Sequence, residues 1–126
     1  MTGVVIEVEN RSGMPVDAPA ARKLARDVLA GQRIASGDLG IAFVGPDEIR
    51  RLKQEHLGID EATDVLSFPI DGTSELPGEL PRQLGDVVIC PQVVADEWRR
   101  PLVHGLLHLL GYDHGAEMSE LEDAYV

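Results

Sequence analysis

The sequence predicts one α/β (α+β) domain over residues 1–126, with a small mixed sheet of about four strands packed by helices. Three observations carry this. Short apolar runs of strand length alternate with stretches whose apolar residues recur at helical spacing. The 126 residues, 44% of them apolar, suit one core and one domain. Neither an internal repeat nor a linker-like segment divides the chain. Aromatic residues make up only 4%, so aliphatic packing must dominate that core.

The elements follow in chain order. Residues 4–8 alternate, with Val4, Ile6 and Val8 on one face, and read as a first strand. Asp17 is placed to cap a helix over 18–31 whose apolar stripe is Ala21, Leu24, Ala25, Val28 and Leu29. Residues 39–44 read as a second strand. Gly45-Pro46-Asp47 then opens a short helix through His56, stopped near Gly58. On that helix His56 falls in step with Ile49 and Leu52, so it reads as a histidine at the edge of the core. Residues 63–69 form a third strand closed by Pro69, and roughly 71–83, rich in Gly, Pro and acid, a surface loop. Residues 84–90 form a fourth strand, with Cys90 at its end as a small buried hydrophobe. After Pro91 comes a short helix. Pro101 suits the first turn of the next one, and a last amphipathic helix uses Met118, Leu121 and Tyr125.

Chemistry concentrates in the helix after Pro101, where three of the four histidines fall within eleven residues: His104-Gly-Leu-Leu-His108-Leu-Leu-Gly-Tyr-Asp-His114. Residues four apart on a helix have Cβ atoms about 5–6 Å apart, so His104 and His108 can reach one ion. If the helix continued, His114 would lie ~9 Å beyond His108 along the axis, at ~1.5 Å per residue. The helix must therefore stop, and Gly111 takes the left-handed conformation that stops it without a Cβ penalty. Tyr112 and Asp113 then carry the chain back. Three imidazoles with one open position are a recurrent catalytic zinc arrangement. With Cys90 as the single cysteine, a cysteine-based structural site is excluded.

The spacing His-x3-His-x5-His, with a glycine three residues after the second His, is also that of metzincin peptidases. Those enzymes place a glutamate directly after the first His as general base; here Gly105 stands there. This counts against peptide hydrolysis and leaves other metal-assisted hydrolysis open. Asp113, the nearest local carboxylate, has three available roles: orienting a ligand histidine, touching water at the metal, or capping the turn.

Charge bounds the partners. The net charge is −11, with −2 over residues 1–63 and −9 over 64–126. The acidic half holds the histidines, which argues against long-range steering of RNA or DNA. Arg22, Lys23, Arg26, Arg50, Arg51 and Lys53 are the residues able to form a local basic patch; their simpler reading is two solvated helix faces. No apolar run reaches membrane-span length and the start lacks a signal-type core, so a cytoplasmic protein is expected.

The histidine segment resembles the signature of the YbeY family of bacterial rRNA-maturation endoribonucleases. Two further segments match that family, Thr63-Asp-Val-Leu-Ser-Phe-Pro69 and Leu84-Gly-Asp-Val-Val-Ile-Cys90, in the same order and at similar spacing. The resemblance covers nearly the whole chain. It implies a zincin-like metal helix with one Zn2+ on His104, His108 and His114. It implies a single-strand-specific, metal-dependent endoribonuclease that acts on ribosomal RNA, chiefly the 3′ end of the 16S molecule, and in ribosome quality control. Ribosomal proteins of the small subunit are further expected partners. Ser67 and Asp86 lie in the matching segments and are candidate substrate-binding residues. Two alternatives stand beside this reading: a zincin-like metallopeptidase or metallohydrolase, and a non-catalytic ribosome-assembly factor with a structural metal. The chain departs from the family pattern at Leu57, where many members carry an arginine, and in a shorter connection between Cys90 and His104.

Overall fold

The computed structural model describes residues 3–61, 63–71 and 82–126. Its elements run β1 (Val4–Asn10), α1 (Ala18–Gly31), β2 (Gly37–Phe43), α2 (Pro46–Leu57), β3 (Val65–Pro69), β4 (Gln83–Ile89), α3 (Pro91–Val94), α4 (Arg99–Leu109) and α5 (Ala116–Tyr125). The expected loop over 71–83 falls for the most part outside the described residues.

The four strands form one mixed sheet in the order β1-β2-β4-β3. β1, β2 and β4 are mutually parallel neighbours, and β3 runs antiparallel to β4 at the edge. Parallel neighbours need a crossover, and α1 supplies it between β1 and β2. Asp17 caps α1 as expected, its carboxylate accepting from the Ala20 N–H at 3.0 Å. β1 continues to Asn10 because β2 offers it partners as far as Phe43.

The main core lies between one face of the sheet and helices α1 and α4. Ile6, Leu39, Ile41, Phe43, Val87 and Ile89 meet Ala25, Val28 and Leu29 of α1 and Leu102, Leu106 and Leu107 of α4 there. None of the three clustered histidines belongs to it. On the opposite face α2 covers a second cluster of Val44, Ile49, Leu66, Val88 and Cys90. Cys90 is fully buried, as its position predicts. α2 ends at Gly58, which is left-handed (φ +72°) and returns its N–H to the Gln54 carbonyl.

His56 departs from expectation. α2 buries only Ile49, and His56 is exposed, its ring centroid 4.8 Å from that of Phe68. The basic residues also resolve. Lys23 pairs with Asp27, Arg50 with Asp60, Arg51 with Glu55 and Lys53 with Glu61, while Arg22 donates to the Ile6 carbonyl. Four of the six cations thus pair with neighbouring acids, which favours the solvated-face reading for them, while Arg22 keeps its charge at the edge of the cleft.

Candidate metal centre

The turn that brings His114 back is a Schellman motif. α4 ends at Leu109, and Gly111 follows the C-cap with φ +99°. The Gly111 N–H donates to the His108 carbonyl (3.1 Å) and the Tyr112 N–H to the Leu107 carbonyl (3.0 Å), the two bonds that define the motif. The turn is also tethered from outside. The Tyr112 hydroxyl donates to Gln32 Oε1 at 2.7 Å, just past the end of α1.

The three rings converge. Their centroids lie 4.6–4.9 Å apart, and one ligand nitrogen from each falls within 4.8 Å of the others. Nε2 of His104 and Nε2 of His108 are 3.1 Å apart. Two nitrogens at ~2.0–2.1 Å from a tetrahedral ion would sit roughly 3.3 Å from each other, so the pair fits one ion with little adjustment. The outer nitrogens are engaged elsewhere. His108 Nδ1 lies 3.0 Å from the Tyr112 carbonyl, which accepts only and so calls for the proton on Nδ1, leaving the Nε2 lone pair facing inward. Burial is the largest influence on His108 and, with the charges His104 and His114 can carry, holds its pKa below the ordinary histidine value. A lowered value favours the neutral ring, the form that binds a metal.

His104 Nδ1 faces Glu122 of α5, with Oε2 at 3.4 Å. Glu122 is 8% exposed and is the buried charged side chain among the described residues. Sequence reasoning missed it. The available signal was a carboxylate one turn after Met118 and beside Leu121, on the stripe that α5 turns inward.

The remaining candidates lie around the centre without joining it. Asp113 is exposed, and no hydrogen bond joins it to a histidine among the described residues; Glu122 and the Tyr112 carbonyl meet the outer nitrogens instead. The Ser67 hydroxyl donates to the Gly105 carbonyl at 2.9 Å, bonding β3 to α4 beside the histidines. Asp86 pairs with Phe68 and Gly40 in the sheet and points to the α2 side, and with Ser67 it lines the cleft that holds the three histidines. Leu57, at the end of α2, is 58% exposed and lines the cleft that runs along β3 to the histidines. The short connection before His104 is made by α3 and a turn in which Ala95 has φ +52°. Of the arginines near the cleft, Arg99 lies 4.5 Å from the Trp98 ring centroid, and Arg100 pairs with Asp123 and Glu122.

Gly105 explains the missing glutamate in space. A Cβ there would stand 2.7 Å from Val87 Cγ1, 3.0 Å from Ser67 Oγ and 3.2 Å from Val65 Cγ2. Position 105 faces β3 and β4, where a side chain has no room.

Fold and site together define a small α+β domain whose surface carries a three-histidine centre able to hold a metal ion. The family model described as Endoribonuclease YbeY matches residues 7–124. The chain belongs to that family. A relative named Endoribonuclease YbeY from Alkalilimnicola ehrlichii is 40% identical, over 84% of this chain and 70% of the relative. One of the same name from Salinispora tropica is 36% identical, over 93% and 87%. The solution structure of the Thermotoga maritima protein TM1509 is similar in fold, with a TM-score of 0.60 at 24% identity, covering 96% of this chain and 86% of that one.

Proposed function

We propose that the protein is a metal-dependent, single-strand-specific endoribonuclease that uses zinc and acts in the cytoplasm on ribosomal RNA, in 16S 3′-end maturation and ribosome quality control. The observation that carries the proposal is the convergence of His104, His108 and His114 in a chain of the Endoribonuclease YbeY family. Three imidazoles with an open position suit zinc. The ion supplies Lewis-acid polarisation of a phosphoryl oxygen and activation of water. The chain's own part is to aim the imidazoles, through the Tyr112 carbonyl on His108 and the Glu122 carboxylate beside His104. The Schellman turn at Gly111 keeps His114 beside them. Arg22 and Arg99 line the cleft without an acidic partner among the described residues, Arg22 meeting a backbone carbonyl and Arg99 the Trp98 ring, and are the cations placed to meet phosphates of unpaired RNA there. Small-subunit ribosomal proteins, which are basic as a class, suit the acidic surface as partners.

The test measures bound metal and cleavage of a precursor 16S 3′-end RNA, with wild type and His108→Ala purified free of contaminating nucleases. Cleavage by the wild type and its loss together with the metal in the variant is expected. Equal cleavage by both would sink the proposal.

A further inference from the structure

We propose that Glu122 is a positioning residue of the metal centre: its carboxylate fixes the His104 ring so that Nε2 faces the ion. The inference rests on the metal reading of the histidine cluster and adds a residue from a different helix to it.

Burial states the problem. A carboxylate removed from water is costly unless it is paired. Glu122 is 8% exposed and lies on the inward stripe of α5, one turn from Met118, which is 1% exposed. Packing alone would place a hydrophobe there. Two cationic or donor groups meet it, His104 Nδ1 at 3.4 Å and Arg100 Nη1 at 3.6 Å. Arg100 has a closer partner in the exposed Asp123, and its own side chain is 48% exposed. An ion pair for Arg100 therefore does not require a buried acid. His104 does gain from one. A carboxylate accepts only, so a neutral His104 facing Glu122 carries its proton on Nδ1 and presents the Nε2 lone pair, 3.1 Å from that of His108. His108 is treated in the same way by the Tyr112 carbonyl. A ligand histidine bonded to a carboxylate through its outer nitrogen is a recurrent metal-site device, and losing the outer partner typically weakens metal binding ~10–100-fold.

A structural role makes a different forecast. If Glu122 only clamps α5 to α4 through Arg100, then Arg100→Ala and Glu122→Gln should act alike and leave metal affinity to the ligands. Zinc affinity measured against a competing chelator separates the two. Glu122→Gln should bind zinc ~10–100-fold more weakly, and Arg100→Ala should stay close to wild type. A wild-type affinity in Glu122→Gln, or an equal loss in Arg100→Ala, would overturn the proposal. Long-range 1H–15N spectra of the metal-free wild type at pH 8 give a reading that needs no variant. His104 should appear as the Nδ1–H tautomer, and a dominant Nε2–H tautomer would refute the role. Wild type that takes up no zinc would instead refute the metal reading itself, while the tautomer would still report on Glu122.

Discussion

Gly105 of α4 and Val87 of β4 meet where the histidine helix packs on the sheet, with 2.7 Å between a Cβ built on the glycine and Val87 Cγ1. This contact separates the protein from the peptidases whose histidine spacing it shares. In those enzymes the residue after the first histidine brings a carboxylate to the metal. Here the same position is turned against β3 and β4. A glutamate is absent because the helix is seated too closely to admit one.

Substitution at Gly105 should therefore damage packing without creating a peptidase. Glycine to alanine in a helix ordinarily gains about 1 kcal/mol. Overpacking against Val87, Ser67 and Val65 should cost about 1–3 kcal/mol. Gly105→Ala is expected to be net destabilised by roughly 1 kcal/mol and Gly105→Glu by more, read from urea midpoints at equal m-values. Neither variant should turn over casein. A stable Gly105→Glu protein with casein activity that vanishes on adding His108→Ala would contradict this account of the site.

Ser67 is adjacent to the histidines, but its hydroxyl is already committed to the Gly105 carbonyl. Ser67→Ala should cost about 1 kcal/mol of stability for the lost bond and leave zinc affinity unchanged. Asp86, on the other side of the sheet, should also be silent in zinc affinity when changed to Asn. A large fall in RNA cleavage by Ser67→Ala, with stability intact, would instead give Ser67 the substrate contact that its place in the β3 segment implies.

These cases show what can be read from residue order. Asp17, Gly58 and Gly111 act within one turn of themselves, and the structure finds them where local chemistry puts them. Strand periodicity located β1 to β4, but neighbours set the strand order and the two extra residues of β1. Asp86 follows the pleat: with Val87 and Ile89 turned to α4, residue 86 must turn away. Glu122 was harder because its partner is eighteen residues distant and on another helix. His56 keeps helical step with Ile49 and Leu52, yet Ile49 alone of α2 is buried.

Acid should loosen the junction between the end of β1 and α2 in a way that one residue controls. Arg11 holds Glu48, in the first turn of α2, with Nη2–Oε2 at 2.6 Å and Nε–Oε2 at 3.2 Å. The side-chain bond from Arg11 is the chief reason that the Glu48 pKa lies below its ordinary 4.5. Because the folded value is lowered, the unfolded chain binds the proton first. The pair's contribution is complete above about pH 4.5 and disappears as pH falls through the folded value. Glu48→Gln should thus cost roughly 1 kcal/mol at pH 7 and progressively less as pH falls through the folded value. Urea midpoints of wild type and variant should converge on acidification; a constant gap would show that the charge is not responsible.

Metal removal separates a catalytic ion from one that holds the fold. The core formed by the sheet, α1 and α4 contains none of the three histidines, and His114 is exposed. Leu102, Leu106, Leu107 and Leu109 keep α4 in place whether or not an ion sits beside His104 and His108. The chelated protein should accordingly keep its far-ultraviolet circular dichroism and a cooperative thermal transition. Zinc should raise that transition only as mass action allows, by ~2.7 kcal/mol at a free concentration 100 times Kd. His104→Ala/His108→Ala should remain folded and lose the zinc-dependent increment. If chelation or the double substitution unfolded the chain, the ion would be structural, and the assembly-factor reading would replace the nuclease.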